Sequence, residues 1–205
     1  MHFMTQSAIQ VTEQGDTRAD RRRLTAHRIT GCAQRLTLER GLDGFTMDDL
    51  AALAEVSRRT LFNYFPGKDD AVLGGPPVLN AGLLETFSAG GPHGHLVDDL
   101  AEILLSILAA SPETREDVTR GREVMLANPR LIALAHQRLE ECVEACMPYI
   151  EAREGAHFDR RRVDVAIALL LACFHLAMQH YLTAESSDLD TLFTDALGTA
   201  RELLA

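Results

Sequence analysis

No C-x-x-C pair occurs among the four cysteines, Cys32, Cys142, Cys146 and Cys173, which excludes a zinc ribbon or a thioredoxin-type redox motif. No apolar run exceeds residues 165–174. That run is too short on its own to cross a bilayer, so it is expected as a buried core helix, with no membrane span. The opening residues lack the basic-then-apolar order of a secretory signal, and free thiols on helical patterns suit a reducing compartment. The expected location is therefore the cytoplasm. A glycine-rich phosphate loop, an H-E-x-x-H pair and a Ser-His-Asp signature are all missing, which argues against an enzyme. No strand-like alternation and no internal repeat is found. No cofactor or metal is implied.

Positive charge is scarce overall, since the net charge is −10, yet it is unevenly placed. Residues 18–68 carry ten Lys/Arg against six Asp/Glu, whereas residues 69–205 carry ten against 22. A basic head on an acidic body points to a polyanionic partner at one end only, because phosphate contacts need local cations.

Helical periodicity dominates what is present. Residues 1–17 are polar and are expected to be disordered. Ala26, Ile29, Ala33 and Leu36 recur at spacings of three and four, marking a helix over about 18–40 that Gly41 stops. Thr46 is the expected N-cap of a helix over 47–54, with Asp49 completing a capping box and Phe45 stapled to Leu50. Ser57 then caps 58–65, with Val56 stapled to Leu61. Pro66-Gly67 ends that helix and Lys68 opens a fourth.

Breaks follow at Gly74-Gly75-Pro76-Pro77 and Ala89-Gly90-Gly91-Pro92, with a short helix expected over 79–87 between them. Beyond His95 the pattern stays helical. One amphipathic helix carries Leu96, Leu100, Ile103, Leu104, Ile107 and Leu108. Pro112 and Pro129 are placed as first-turn prolines of helices over 112–127 and 129–153. The last two helices are expected over 160–183 and 188–204.

The chemistry concentrates in residues 46–68. At about 100° per residue, Leu61 and Phe65 fall on one side of their helix and Arg59 and Asn63 on the other. Arg58, Thr60 and Phe62 flank that outer face, and Tyr64 sits on its shoulder. Arg pairs bidentately with guanine and Asn with adenine. Thr46 and Lys68 stand at helix N-termini, where free amides favour a phosphate. Arg22 and Arg23 belong to a basic arm, with Arg18 and Arg21, suited to phosphates or a minor groove.

The run S-R-R-T-L-F-N-Y-F-P-x-K over residues 57–68 resembles the helix-turn-helix of the tetracycline-repressor-like (TetR) family, and the resemblance extends back to about Arg18. Glu55 departs from it, standing where such proteins often carry glycine. This predicts a helical rather than a left-handed turn. The resemblance implies an all-α fold in which an N-terminal three-helix DNA-binding domain, 18–68, precedes a larger helical bundle, 69–205. That bundle would form a homodimer and enclose a small-molecule effector.

The sequence supports the bundle independently. The helix over 160–183 is apolar nearly all round and needs cover on more than one side. Pairing of 160–183 and 188–204 with a two-fold mate supplies it. Leu104, Ile107, Met125, Leu134, Met147, Phe174, His175 and Met178 are candidate lining of an apolar effector pocket. Residues 122–141 loosely resemble a type that binds acyl-CoA-like ligands, which implies Arg122, Arg130 or Arg138 as an anion contact. Cys142 and Cys146, one turn apart, suggest a metal or redox sensor as a lesser alternative. The expected function is a repressor released by an effector from a pseudo-palindromic operator on double-stranded DNA. The competing reading is a helical adaptor or enzyme whose helix-turn-helix does not touch DNA.

Overall fold

In the computed structural model, residues 8–13, 17–183 and 188–204 are described. The chain divides into two compact units, Met1–Val78 with Pro112–Ala145, and Leu79–Ser111 with Cys146–Ala205.

The first unit is built on α1 (Thr17–Arg40), α2 (Met47–Leu53), α3 (Arg58–Tyr64), α4 (Lys68–Leu73) and α7 (Arg115–Ala127). The start of α8 (Pro129–Glu154) completes it. Its core takes Ile29, Ala33 and Leu36 from α1, the expected stripe, together with Phe45, Leu50, Leu61 and Phe65. Val124 of α7 and Leu131 of α8 are fully buried in the same core. The head is thus larger than 18–68, because the short helices α2–α4 cannot bury their apolar faces without α7 and α8.

The second unit comprises α5 (Ala81–Ser88), α6 (Leu96–Ala110), the end of α8, α9 (Arg160–Thr183) and α10 (Leu189–Leu204). A 3-10 turn, Gly155–His157, follows α8. Ala101 of α6, Leu170, Cys173 and Ala177 of α9, and Phe193 and Leu197 of α10 form its core. Beside it lies an ion pair sealed from water: Arg153 Nη2 stands 2.5 Å from Asp99 Oδ2, with side chains 3% and 0% exposed. Arg153 also donates to the carbonyls of Phe87 and Gly91 at 3.0 and 3.2 Å, and Asp99 Oδ1 accepts the His93 amide at 2.6 Å.

Several expectations are corrected. Part of the supposedly disordered tail is ordered: Gln10–Thr12 forms strand β1, Ile9 is buried, and the Gln10 amide donates to the Pro77 carbonyl at 3.0 Å. A second strand, β2, spans Val78–Asn80. Three residues apiece are too few to show the alternation that marks a strand in sequence. Pro112 does not open α7, since Thr114 caps it through a reciprocal box with Asp117. That box satisfies two amide donors that a leading proline leaves bare.

α9 as a whole is long and apolar enough, by length and composition, to cross a bilayer, a property hidden in the ten-residue run. Only 22% of its most apolar stretch is buried within the chain. Its buried positions, Val163, Ala166, Leu170, Cys173 and Ala177, follow helical spacing. Val165 and Leu176 remain exposed.

Candidate nucleic-acid interface

Two caps set the geometry of the helix-turn-helix. Thr46 Oγ1 accepts the Asp49 amide at 3.1 Å while Asp49 Oδ2 accepts the Thr46 amide at 2.7 Å. These Thr46 hydrogen bonds hold the Asp49 carboxyl below its ordinary range. Ser57 Oγ accepts the Thr60 amide at 3.0 Å, starting α3.

Between the helices the chain turns through Glu55, whose φ is +52°. The expectation of a helical turn is therefore wrong. The Val56 amide reaches the Ala51 carbonyl at 3.0 Å and the Glu55 amide the Ala52 carbonyl at 3.2 Å. This is the paired C-terminal closure that requires a left-handed residue just past the cap. Two carbonyls satisfied at the end of α2 outweigh the discomfort of a side chain at positive φ.

α3 then lies with Leu61 and Phe65 buried, at 0% and 1% exposure, and with Arg58, Arg59, Phe62 and Asn63 exposed. The Arg59 guanidinium and the Asn63 side-chain amide have no hydrogen-bonding partner among the described residues. Arg58 is engaged: its Nη1 donates to Asp48 Oδ2 at 3.1 Å, and its guanidinium lies over the Phe62 ring. Thr60 Oγ1 shares a 2.7 Å hydrogen bond with Ser57 Oγ.

Much of the remaining basic charge is tied to backbone carbonyls. Arg22 stacks over Tyr64, 4.8 Å from the ring centroid, and donates to the Asn63 carbonyl at 3.2 Å. Arg28 donates to the carbonyl of Ala54. Lys68 Nζ donates to the Phe45 carbonyl at 2.9 Å and stands over the Phe45 ring. At Asn63 and Ala54, near the C-terminal ends of α3 and α2, the Arg22 and Arg28 cations complement the helix dipole as well as the hydrogen bond. Arg22 and Lys68, singled out as phosphate contacts, thus brace the unit. Thr46 closes a cap, and Arg23 pairs with Asp20 at 3.3 Å. The head is held from behind by α8: Arg130 bridges Asp43 and Asp69 at 3.0 and 3.1 Å, and Arg138 reaches Asp70 at 2.6 Å and the Gly74 carbonyl at 2.8 Å.

Asp48, Arg28 and the carbonyl bonds were not found from the sequence. Asp48 and Arg58 meet across the turn, so only the crossing of α2 and α3 reveals the pair.

Residues 29–73 match the family model described as bacterial regulatory proteins, tetR family. The head is thus similar to the DNA-binding domain of TetR-family regulators, a likeness that supports a DNA-binding transcriptional regulator. A curated protein of Mycobacterium tuberculosis, "Putative mycofactocin biosynthesis transcriptional regulator MftR", is 26% identical over 193 residues, covering 92% of this chain and 94% of that protein. The solved structure of a protein assigned to the TetR-family regulators of Mesorhizobium loti covers 90% of this chain and 96% of its own, at 14% identity and a TM-score of 0.48.

The candidate effector residues divide between the two units. Met125 and Leu134 belong to the first unit, and Leu104, Ile107, Met147, Phe174, His175 and Met178 to the second. Leu104 and Phe174 pack against the core, and Met147 is buried. His175, expected to face a pocket, is exposed and shares a 2.9 Å hydrogen bond with Gln179 one turn on. Arg130 and Arg138 are spent on the aspartates of the head rather than held out to an anion, while Arg122 is exposed.

A groove of about 410 Å³ lies between α6 and α10, lined by Glu102, Leu105, Ser106, Ala109, Asp190, Thr191, Thr194 and Asp195. None of the eight candidate residues lines it. Partial burial, then the neighbouring charge of Asp188, raise the Asp190 carboxyl above its usual value.

Proposed function

We propose that this regulator is a repressor that sits on a pseudo-palindromic operator as a homodimer in the cytoplasm and leaves it when a small-molecule effector binds. The observation that carries the reading is the outward face of α3, where Arg59 and Asn63 stand exposed and without an internal hydrogen-bonding partner among the described residues. Arg59 supplies a pair of donors matched to a guanine edge, and Asn63 a donor and an acceptor matched to an adenine edge. Arg58, Thr60, Phe62 and Tyr64 complete the face, and Arg23 with the exposed Arg18 and Arg21 supplies phosphate contacts at its edge.

Two helices support the dimer. α9 leaves apolar positions such as Val165, 69% exposed, and Leu176, 49% exposed, uncovered on one side of the helix. Leu203 of α10 is likewise exposed. A two-fold mate laid on these positions removes that surface from water. The effector, of apolar or acyl-CoA-like chemistry, binds within residues 69–205 and acts by favouring a dimer whose two α3 helices no longer match successive major grooves.

A mobility-shift titration with the DNA upstream of the chain's own gene tests the reading. Salt-sensitive binding is expected, with Arg59→Ala and Asn63→Ala each weakening it by about 1–3 kcal/mol while the fold persists. No complex even at low salt defeats it.

A further inference from the structure

The recognition face has a neighbour with no place in the scheme above. Asp48 lies in the first turn of α2, and its carboxylate holds Arg58 Nη1 at 3.1 Å. On its other side the same guanidinium meets the Phe62 ring, 5.7 Å from the centroid. Both partners of the ion pair are open to water, with side chains 66% and 63% exposed. An ion pair this exposed contributes little to folding. What it changes is the set of rotamers that Arg58 visits.

Arg58 is the first residue of α3, and the leading residues of a recognition helix are those that meet base edges. A guanidinium already fixed by an anion and an aromatic ring gives up less freedom when it docks. The exposed carboxylate beside Arg58 meanwhile repels phosphate and so disfavours sequence-independent binding. The two effects act on opposite terms of one ratio. Preorganising Arg58 strengthens the correct complex, and the nearby negative charge weakens all complexes alike.

We propose that Asp48 is a positioning residue for DNA discrimination: together with Phe62 it holds Arg58 in one outward rotamer, so that the head selects sequence through a preformed guanidinium. The proposal rests on the assignment of α3 as the recognition helix.

Duplexes are selected from a pool with a randomised central segment by the full-length protein, then the selected duplex and a scrambled one are titrated at several salt concentrations. Asp48→Asn is expected to weaken binding of the selected duplex by about threefold to tenfold, the cost of ordering one long side chain. It is expected to tighten binding of the scrambled duplex. A frayed α2 weakens both, so the opposite signs separate positioning from scaffold. In an Arg58→Ala background Asp48→Asn is expected no longer to weaken the selected duplex and to tighten both duplexes alike. Thermal unfolding close to that of the wild type is expected for each variant, since the pair is exposed. The proposal is overturned if Asp48→Asn retains the wild-type base preferences and affinity, or if it still weakens the selected duplex without Arg58. A wild-type protein that enriches no sequence overturns the recognition-helix assignment itself, and this proposal with it.

Discussion

A single dihedral angle separates this helix-turn-helix from a more relaxed one. Glu55 holds φ at +52° so that the amides of Glu55 and Val56 close the end of α2. A non-glycine residue there costs about 1–2 kcal/mol, part of which glycine returns to the unfolded chain as entropy. Glu55→Gly is therefore expected to raise stability by about 1 kcal/mol in urea titrations, with Asn falling between the two. The sequence showed that a glycine-favouring position was filled by glutamate, but not whether the turn or the side chain would yield. The turn held, because two of its amides satisfy carbonyls at the end of α2.

Asp117 provides the second test at this scale. Burial alone would raise its carboxyl, but hydrogen bonds from the Thr114 side chain and backbone, then Arg120 and the His27 charge, bring it down from 3.8 to about 2. A carboxyl lowered on folding contributes stability that is complete above its unfolded value and lost as pH falls through its folded one. The stability gap between wild type and Asp117→Asn is thus expected to be full near neutrality and to close between about pH 4 and pH 2 in pH-resolved denaturation.

Among the elements, α1 through α4 were the most legible in sequence. Thr46 and Ser57 cap the starts of α2 and α3, and Gly41 closes α1 at a left-handed stop with φ of +77°. Helix length and capping are local properties. Which helices share a core is not, and the burial of Val124 and Leu131 beside Leu36 and Phe65 could not be read from spacing.

The same limit hid the Arg153–Asp99 pair, whose partners lie on α8 and α6 of the second unit. Asp99 Oδ2 and Arg153 Nε find no well-aligned hydrogen bond even so, which makes the pair dependent on its charge complement. Removing one buried partner strands the other, at about 3–5 kcal/mol. Arg153→Met and Asp99→Asn are each expected to lower the unfolding midpoint sharply. The combined variant is expected to lose far less than the sum of the two, a coupling that a double-mutant cycle measures.

At the scale of the whole molecule, charge and apolar surface divide the labour. The chain carries −10 overall yet concentrates its cations in the head, and it leaves the apolar side of α9 uncovered by its own residues. Val165→Asp combined with Leu176→Asp is expected to shift sedimentation from dimer to monomer and to abolish binding to a two-half-site duplex. The short helices of the head and the two-sided character of α3 were thus largely legible, since caps, charge blocks and periodicity are written in local sequence. A pocket was not, because an apolar stripe has the same appearance whether it lines a hollow or fills a core.

Lys68 is the single lysine of the chain. Its ammonium rests against the Phe45 carbonyl and ring, at the joint between α2 and α4. Only one side-chain amine is therefore available to an acylating reagent, and its reactivity is governed by whether that joint is closed. Timed acylation followed by mass spectrometry of one peptide becomes a gauge of the head's conformation, with no engineered label required.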